Sequence, residues 1–341
     1  MTQKTYRLSI LLILCGLLLP NCSGPAPTPT AAGQKDQMAI VMPGELDDQD
    51  YNHLAFVTGE EIKDTYNLSI QYIENIDVPS LPKEMDDLSR QGVKIIWLHG
   101  SQYDAQAYQL AGKYPKISFI IEGDIQPDIL PDNLSFIDRN FQKGMYVLGR
   151  LAAMQSRTGK VGYICGLNLP FSYIELHAIT QAIHDSGQDI KVYPVWTGDF
   201  NNPGVARQET AKLLDSGVDV VIGSLNGGMA GLVDEMNKYG GDTWFTAKYT
   251  DKSALSTDHY TTSLLLDFTF PIKSIVSAIQ QGNRNSVYEM DFSHGLDIQL
   301  PVRLVNPTVN QEIKDIIADL EAGKIEVDKN SQPDTHPTQT P

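Results

Sequence analysis

Residues 142–165 read QKGMYVLGRLAAMQSRTGKVGYIC. The first sixteen carry apolar side chains at helical spacing, and the last six form a short apolar run after a Thr-Gly turn, so the stretch predicts a helix feeding a buried strand. The same alternation runs in both directions from this point. Upstream, strands are predicted at 38–42 (MAIVM), 68–73, 93–98 (VKIIWL) and 117–121 (ISFII), separated by helices at 51–66, 81–91 and 105–114, the last stopped by Pro115. Downstream, helices at 172–186, 202–216 and 229–239 alternate with strands at 190–196, 218–222 (VDVVI) and 244–249. Near-continuous apolar strands separated by helices predict parallel sheets covered on both faces. The series starts twice, which gives two doubly wound α/β units of similar size. Their ligand crevices lie beyond the carboxyl ends of the strands, so two facing units leave a cleft between lobes.

The ends of the chain read differently. Lys4 and Arg7 precede an apolar run at 8–19, then Pro20-Asn21-Cys22-Ser23-Gly24. That run is too short for the ~20 residues of a membrane-spanning helix and has the pattern of an export signal over residues 1–21. Leu19-Pro20-Asn21-Cys22 resembles a lipobox, which implies a lipid on Cys22 and attachment to the extracytoplasmic face of the cell membrane. Residues 22–37, rich in Pro, Ala, Thr and Gly, read as a flexible linker, and 328–341 (DKNSQPDTHPTQTP) as a disordered tail. Cys15 leaves with the signal, so Cys165 is the one cysteine left for the folded part, and no disulfide is expected there.

Composition narrows the function. The net charge is −16, and removal of Lys4 and Arg7 leaves 24 basic against 42 acidic residues, or −18. That sign disfavours nucleic acid and anionic lipid surfaces as partners. Seven scattered histidines give no metal-ligand spacing, and no cofactor motif is present: there is no P-loop and no Gly-x-Ser-x-Gly elbow.

Candidate binding residues lie just past the predicted strands. Asp47-Asp48-Gln49-Asp50-Tyr51-Asn52-His53 opens a helix, where the dipole favours carboxylates, so Asp48 or Asp50 serves either a ligand or the helix cap. Asn226-Gly227-Gly228 puts backbone amides at another helix start, available to a ligand or needed for a turn. Phe171, after Asn168-Leu169-Pro170, is placed to stack on a ring from the second lobe.

These residues resemble the basic membrane protein family, which includes the purine nucleoside receptor lipoproteins. The segment 47–53 is similar to that family's Asp-Asp-x-Ser-Phe-Asn-Gln. Tyr114-Pro115-Lys116-Ile117-Ser118-Phe119, the helix at 144–153, Thr158-Gly159-Lys160-Val161-Gly162, Asp219-Val220-Val221-Ile222-Gly223 and residues 226–231 (NGGMAG) follow in the family's order, covering roughly 38–306. The resemblance implies a type I periplasmic-binding-protein fold and an ABC-importer binding protein that captures a small ligand, a purine nucleoside or related heterocycle, by hinge closure and hands it to a permease in the membrane. It implies ligand contacts from Asp48, Tyr51, Asn52, Phe171, Asn226, Gly227, Gly228 and Tyr249. It also implies three crossings between lobes, near Arg139, Lys252 and Phe292. Lobe 1 is then 38–138 plus 253–291, and lobe 2 is 139–252 plus 292–327.

Two departures bear on the ligand. Tyr249 stands where the family carries an aspartate for ribose hydroxyls, and Leu266 where it carries a lysine. Two other functions fit part of the pattern. One is a ligand-sensing lipoprotein that signals to a membrane partner without transport. The other is an enzyme of the nucleoside hydrolase kind, since Asp47-Asp48 is similar to that enzyme's calcium carboxylates; the residues before it, Pro43, Gly44, Glu45 and Leu46, supply no paired ligands.

Overall fold

The computed structural model describes residues 35–333. The predicted signal, Cys22 and the tail beyond Pro333 lie outside the described residues. The first lobe is built from β1 (Asp36–Val41), α1 (Tyr51–Thr65), β2 (Leu68–Ile73), α2 (Leu81–Gln91), β3 (Ile95–Leu98), α3 (Asp104–Lys113), β4 (Ser118–Gly123) and β5 (Leu134–Asp138). Its sheet has the order β2-β1-β3-β4-β5, extended at the far edge by β11 (Val287–Glu289), with every pairing parallel. Parallel strands are buried on both faces. Met38 to Val41 and Ile95 to Leu98 are accordingly almost fully buried.

The second lobe begins with α4 (Phe141–Gln155), followed by β6 (Lys160–Cys165), α5 (Pro170–Asp185), β7 (Lys191–Trp196), α6 (Pro203–Asp215), β8 (Val220–Ser224), α7 (Met229–Tyr239), β9 (Trp244–Tyr249) and β10 (Tyr260–Leu266). The sheet order is β7-β6-β8-β9-β10, with β12 (Leu296–Ile298) antiparallel at its edge. Helix α4 buries most of its surface, because α5 and the last helix, α9 (Pro307–Glu321), pack on it. Proline in the first turn starts α5, α6 and α9, where its missing N–H costs nothing. Helix α8 (Thr269–Gln280) returns to the first lobe and packs on α1.

Three features differ from the sequence reading. The strand β5 was not expected, since Leu-Ser-Phe-Ile-Asp is short and half polar; it is defined by its neighbours β4 and β11. The second crossing runs through Asp267 and Phe268 rather than near Lys252, because β10 pairs with β9 and stays in the second sheet. Parallel neighbours usually need a helical crossover. The loop between β9 and β10 has no helix, and the crossing that the resemblance implied there lies one strand later. Finally, β1 starts inside the expected linker, and the first residues of the expected tail are docked. The Asp328 N–H donates to Gln181 Oε1 on α5 (3.4 Å) and Lys329 pairs with Asp138 at the end of β5.

One apolar cluster passes through both lobes. It runs from Met38 and Trp97 in the first sheet, through Phe268 and Tyr249 at the hinge, to Tyr163 and Leu264 in the second. Two further clusters cover the outer face of each sheet.

Candidate functional site

A cavity of about 270 Å³ opens where the carboxyl ends of the two sheets face each other. Every polar or aromatic group lining it follows a strand: Tyr51 and Asn52 after β1, Ser101 and Gln102 after β3, Arg139 after β5, Phe171 after β6, Phe200 and Asn201 after β7, Asn226 after β8 and Tyr249 at the end of β9. This is the crevice position of doubly wound sheets. Pro43, Gly44, Leu167 and Leu169 complete the lining.

The walls are aromatic. Phe171 and Phe200 stack with centroids 6.0 Å apart and planes at 23° on the second lobe. From across the cleft Tyr51 meets Tyr249 at 5.3 Å. Tyr51 is held from behind, because the His99 ring stacks on it at 4.0 Å and its hydroxyl donates to Glu122 (2.8 Å). His99 itself bridges the Tyr51 carbonyl (2.9 Å) and Glu122 (2.7 Å). Burial, reinforced by the Glu122 charge, raises the Tyr51 pKa well above its ordinary value, so the phenol stays neutral.

Two buried cations lie against the rings, Arg139 at the cavity wall and Lys248 behind it. Arg139 is forked onto Asp124 through Nε (3.1 Å) and Nη2 (2.6 Å) and lies 4.6 Å from the Phe141 ring centroid and 5.6 Å from that of Phe171. Its burial opposes the charge, but the carboxylates of Asp124 and Glu122 outweigh it and hold the guanidinium ionised. Lys248 pairs with Glu175 and sits 4.1 Å from the Phe141 ring centroid. Burial lowers its pKa, against the pull of Glu175.

Of the expected contacts, Tyr51, Asn52, Phe171, Asn226 and Tyr249 share this cavity. Three do not line it, and each has another task. Asp48 caps α1, accepting the N–H groups of Asp50 (2.9 Å), Asn52 (3.1 Å) and His53 (3.0 Å). Gly227 donates to Asn201 Oδ1 (3.3 Å) and Gly228 to the Phe200 carbonyl (2.9 Å), so their amides hold the loop that carries Phe200. A Cβ on Gly228 would come within 2.8 Å of that carbonyl, which is why glycine is needed there. Leu266 is buried at the end of β10 and does not reach the cavity. Arg139, Phe200, Asn201, Ser101 and Gln102 were missed by sequence reading. Their one common signal is position in the segment that follows a strand.

Asp50 ties the lobes together. Its carboxylate lies 2.6 Å from Lys252 Nζ and accepts from the Thr250 hydroxyl (3.1 Å), both on the β9–β10 loop. Burial pushes its pKa up to about 7, with Lys252 opposing and the Asp48 charge adding. A carboxyl raised in the folded state gives stability that is complete below its unfolded pKa and lost as pH rises through the folded one, here between pH ~4 and ~7. Wild type is therefore expected to lose on the order of 1 to 2 kcal/mol between pH 5 and pH 8 that Asp50→Asn does not lose. Parallel melting curves of the two proteins at both pH values check this, and identical pH slopes would refute it.

Comparison with known proteins gives the family of the chain. The family model for Bmp, the PnrA-like ABC transporter substrate-binding proteins, matches residues 35–329. The chain belongs to that family. It is a family of binding proteins and not an enzyme class, so the hydrolase reading falls away. Basic membrane protein A2 of Borrelia garinii is 22% identical over 76% of this chain and 77% of its own length. A purine-binding protein of Brucella abortus is 23% identical over 69% of this chain and 68% of its own. Among solved structures, an ABC transporter solute-binding protein from Aeropyrum pernix superposes with a TM-score of 0.75 at 15% identity, covering 85% of this chain and 92% of that one. The fold of this Bmp-family chain is the type I periplasmic-binding-protein fold. Among the described residues no helix is long and apolar enough to cross a membrane.

Proposed function

We propose that this protein is an extracytoplasmic lipoprotein that captures a purine-type base between its lobes and presents the closed form to an ABC permease. The observation that carries the reading is the cavity between aromatic walls from both lobes, with the buried Asn52 and Asn226 Oδ1 atoms left without protein partners. Flat rings stack on such walls, and unpartnered amide oxygens ask for N–H donors. The purine-binding relative supports the ligand class. No carboxylate lines the cavity and Tyr249 occupies the family's aspartate position, so a free base suits it better than a nucleoside, whose ribose hydroxyls would meet no charged acceptor.

Closure follows from where the contacts come from. A ligand gains both walls only when the lobes meet, so it favours the closed form. A base enclosed in this way can reach about −8 to −10 kcal/mol, or micromolar affinity and better. Calorimetry with adenine, hypoxanthine and guanine beside their nucleosides tests the proposal, together with the mass of any small molecule retained on purification. Binding of a base tighter than its nucleoside is the expected result. No heat from any of them and no retained molecule would defeat it.

A further inference from the structure

Asp48 does more than cap a helix. Its Oδ1 accepts from the Asp50 and His53 amides, while its Oδ2 accepts from Asn52 twice: from the backbone N–H at 3.1 Å and from the side-chain Nδ2 at 2.7 Å. An ionised carboxylate has only acceptors, so it can bond the NH₂ of the Asn52 carboxamide and never its oxygen. The orientation of that amide is thereby fixed. Asn52 is 1% exposed, and the atom it has left over is Oδ1, buried and without a partner. Asn226 offers a second unpartnered Oδ1 from the other lobe, but among the described residues no hydrogen bond holds its carboxamide.

We propose that Asp48 is a specificity-determining positioning residue: by engaging Asn52 Nδ2 it makes Asn52 Oδ1 the ligand-facing atom, so the cavity selects a ligand that brings an N–H donor to that point. The proposal rests on the heterocycle reading of the cavity and adds the polarity of one contact. A buried acceptor that meets an N–H recovers its desolvation cost, whereas one that meets a ring-nitrogen lone pair or an N-methyl group does not. The site therefore distinguishes bases by which edge carries hydrogen.

The test uses adenine, hypoxanthine, guanine and the singly N-methylated derivatives of whichever binds wild type, titrated by calorimetry against the full chain. In wild type one methylation position is expected to cost roughly 10- to 100-fold in affinity. In Asp48→Asn one oxygen must serve where two did: kept on the Asp50 and His53 amides, it leaves NH₂ opposite the Asn52 backbone N–H and Nδ2, so the Asn52 carboxamide loses the acceptor that fixes it and is free to turn Nδ2 towards the ligand. The ratio between parent base and discriminated derivative is expected to fall at least tenfold. Asn52→Ala, which leaves the cap intact, is expected to bring the same ratio close to one and covers the case in which Asp48→Asn does not fold. A loss of affinity equal for all probes in the folded variants, with the ratio unchanged, overturns the proposal, as does a wild type indifferent to every methylation. Absence of binding by every base overturns the heterocycle reading itself and this inference with it.

Discussion

Replacing Lys248 with methionine is expected to lower the stability of this protein by about 3–5 kcal/mol and its melting temperature by roughly 6–15 °C. Lys248 is fully buried, packed among the rings of Phe141, Tyr249 and Phe171, and its ammonium is the cationic partner of Glu175. Glu175 also accepts from the Tyr163 hydroxyl (2.8 Å), which cannot replace a charge. Removing the lysine leaves a carboxylate in a low-dielectric interior, and that uncompensated charge is the source of the cost. The pair itself need not be stabilising. Lys248→Met combined with Glu175→Leu, which removes both charges at similar volume, should regain most of the loss. A single variant melting within two degrees of wild type, read by calorimetry, would show that the pair is not isolated from solvent as described.

Phe171→Ala is expected to weaken binding of the preferred base by about 2–3 kcal/mol, or roughly 30- to 150-fold, with a much smaller effect on folding. The ring faces the cavity, so its truncation enlarges a space that is already open instead of making a new void in a packed core. What is lost is the stacking surface, together with the cation contact from Arg139 at 5.6 Å, which helps to fix the ring. Phe200 at 6.0 Å remains as a partial platform, so Phe171→Ala/Phe200→Ala should cost more than either change alone. Equal affinities for wild type and Phe171→Ala would remove this wall from the binding site.

The alternation of strands and helices was legible because burial on both faces makes parallel strands apolar without interruption, as in Ile95-Ile96-Trp97-Leu98. Strand β9 lies at the predicted bounds for the same reason, and helix α2 does so because Leu81, Met85 and Leu88 recur at helical spacing before Gly92 ends it. What escaped depends on partners distant in sequence. Strand β5 exists through β4 and β11, β10 belongs to the second lobe through β9 and β12, and Lys329 is anchored by Asp138. The site divides in the same way. Tyr51 and Asn52 sit in a helix-opening segment with a recognisable pattern, and Phe171 and Asn226 also stand at helix starts. Arg139 and Phe200 carry no local mark, since a lone arginine after Ile-Asp or a phenylalanine after Gly-Asp acquires meaning only when the second lobe is brought opposite the first.

The apolar cluster shared by both lobes also constrains how the chain can be divided. Met38, Trp97, Phe268, Tyr163 and Leu264 belong to one continuous interior, and the backbone passes between the lobes three times to build it. Neither half owns a complete inside. A fragment ending at Asp138 would present the Met38 and Trp97 face to water and lack its edge strand β11, so the halves cannot be produced as independent modules or exchanged with those of a relative without rebuilding the seam.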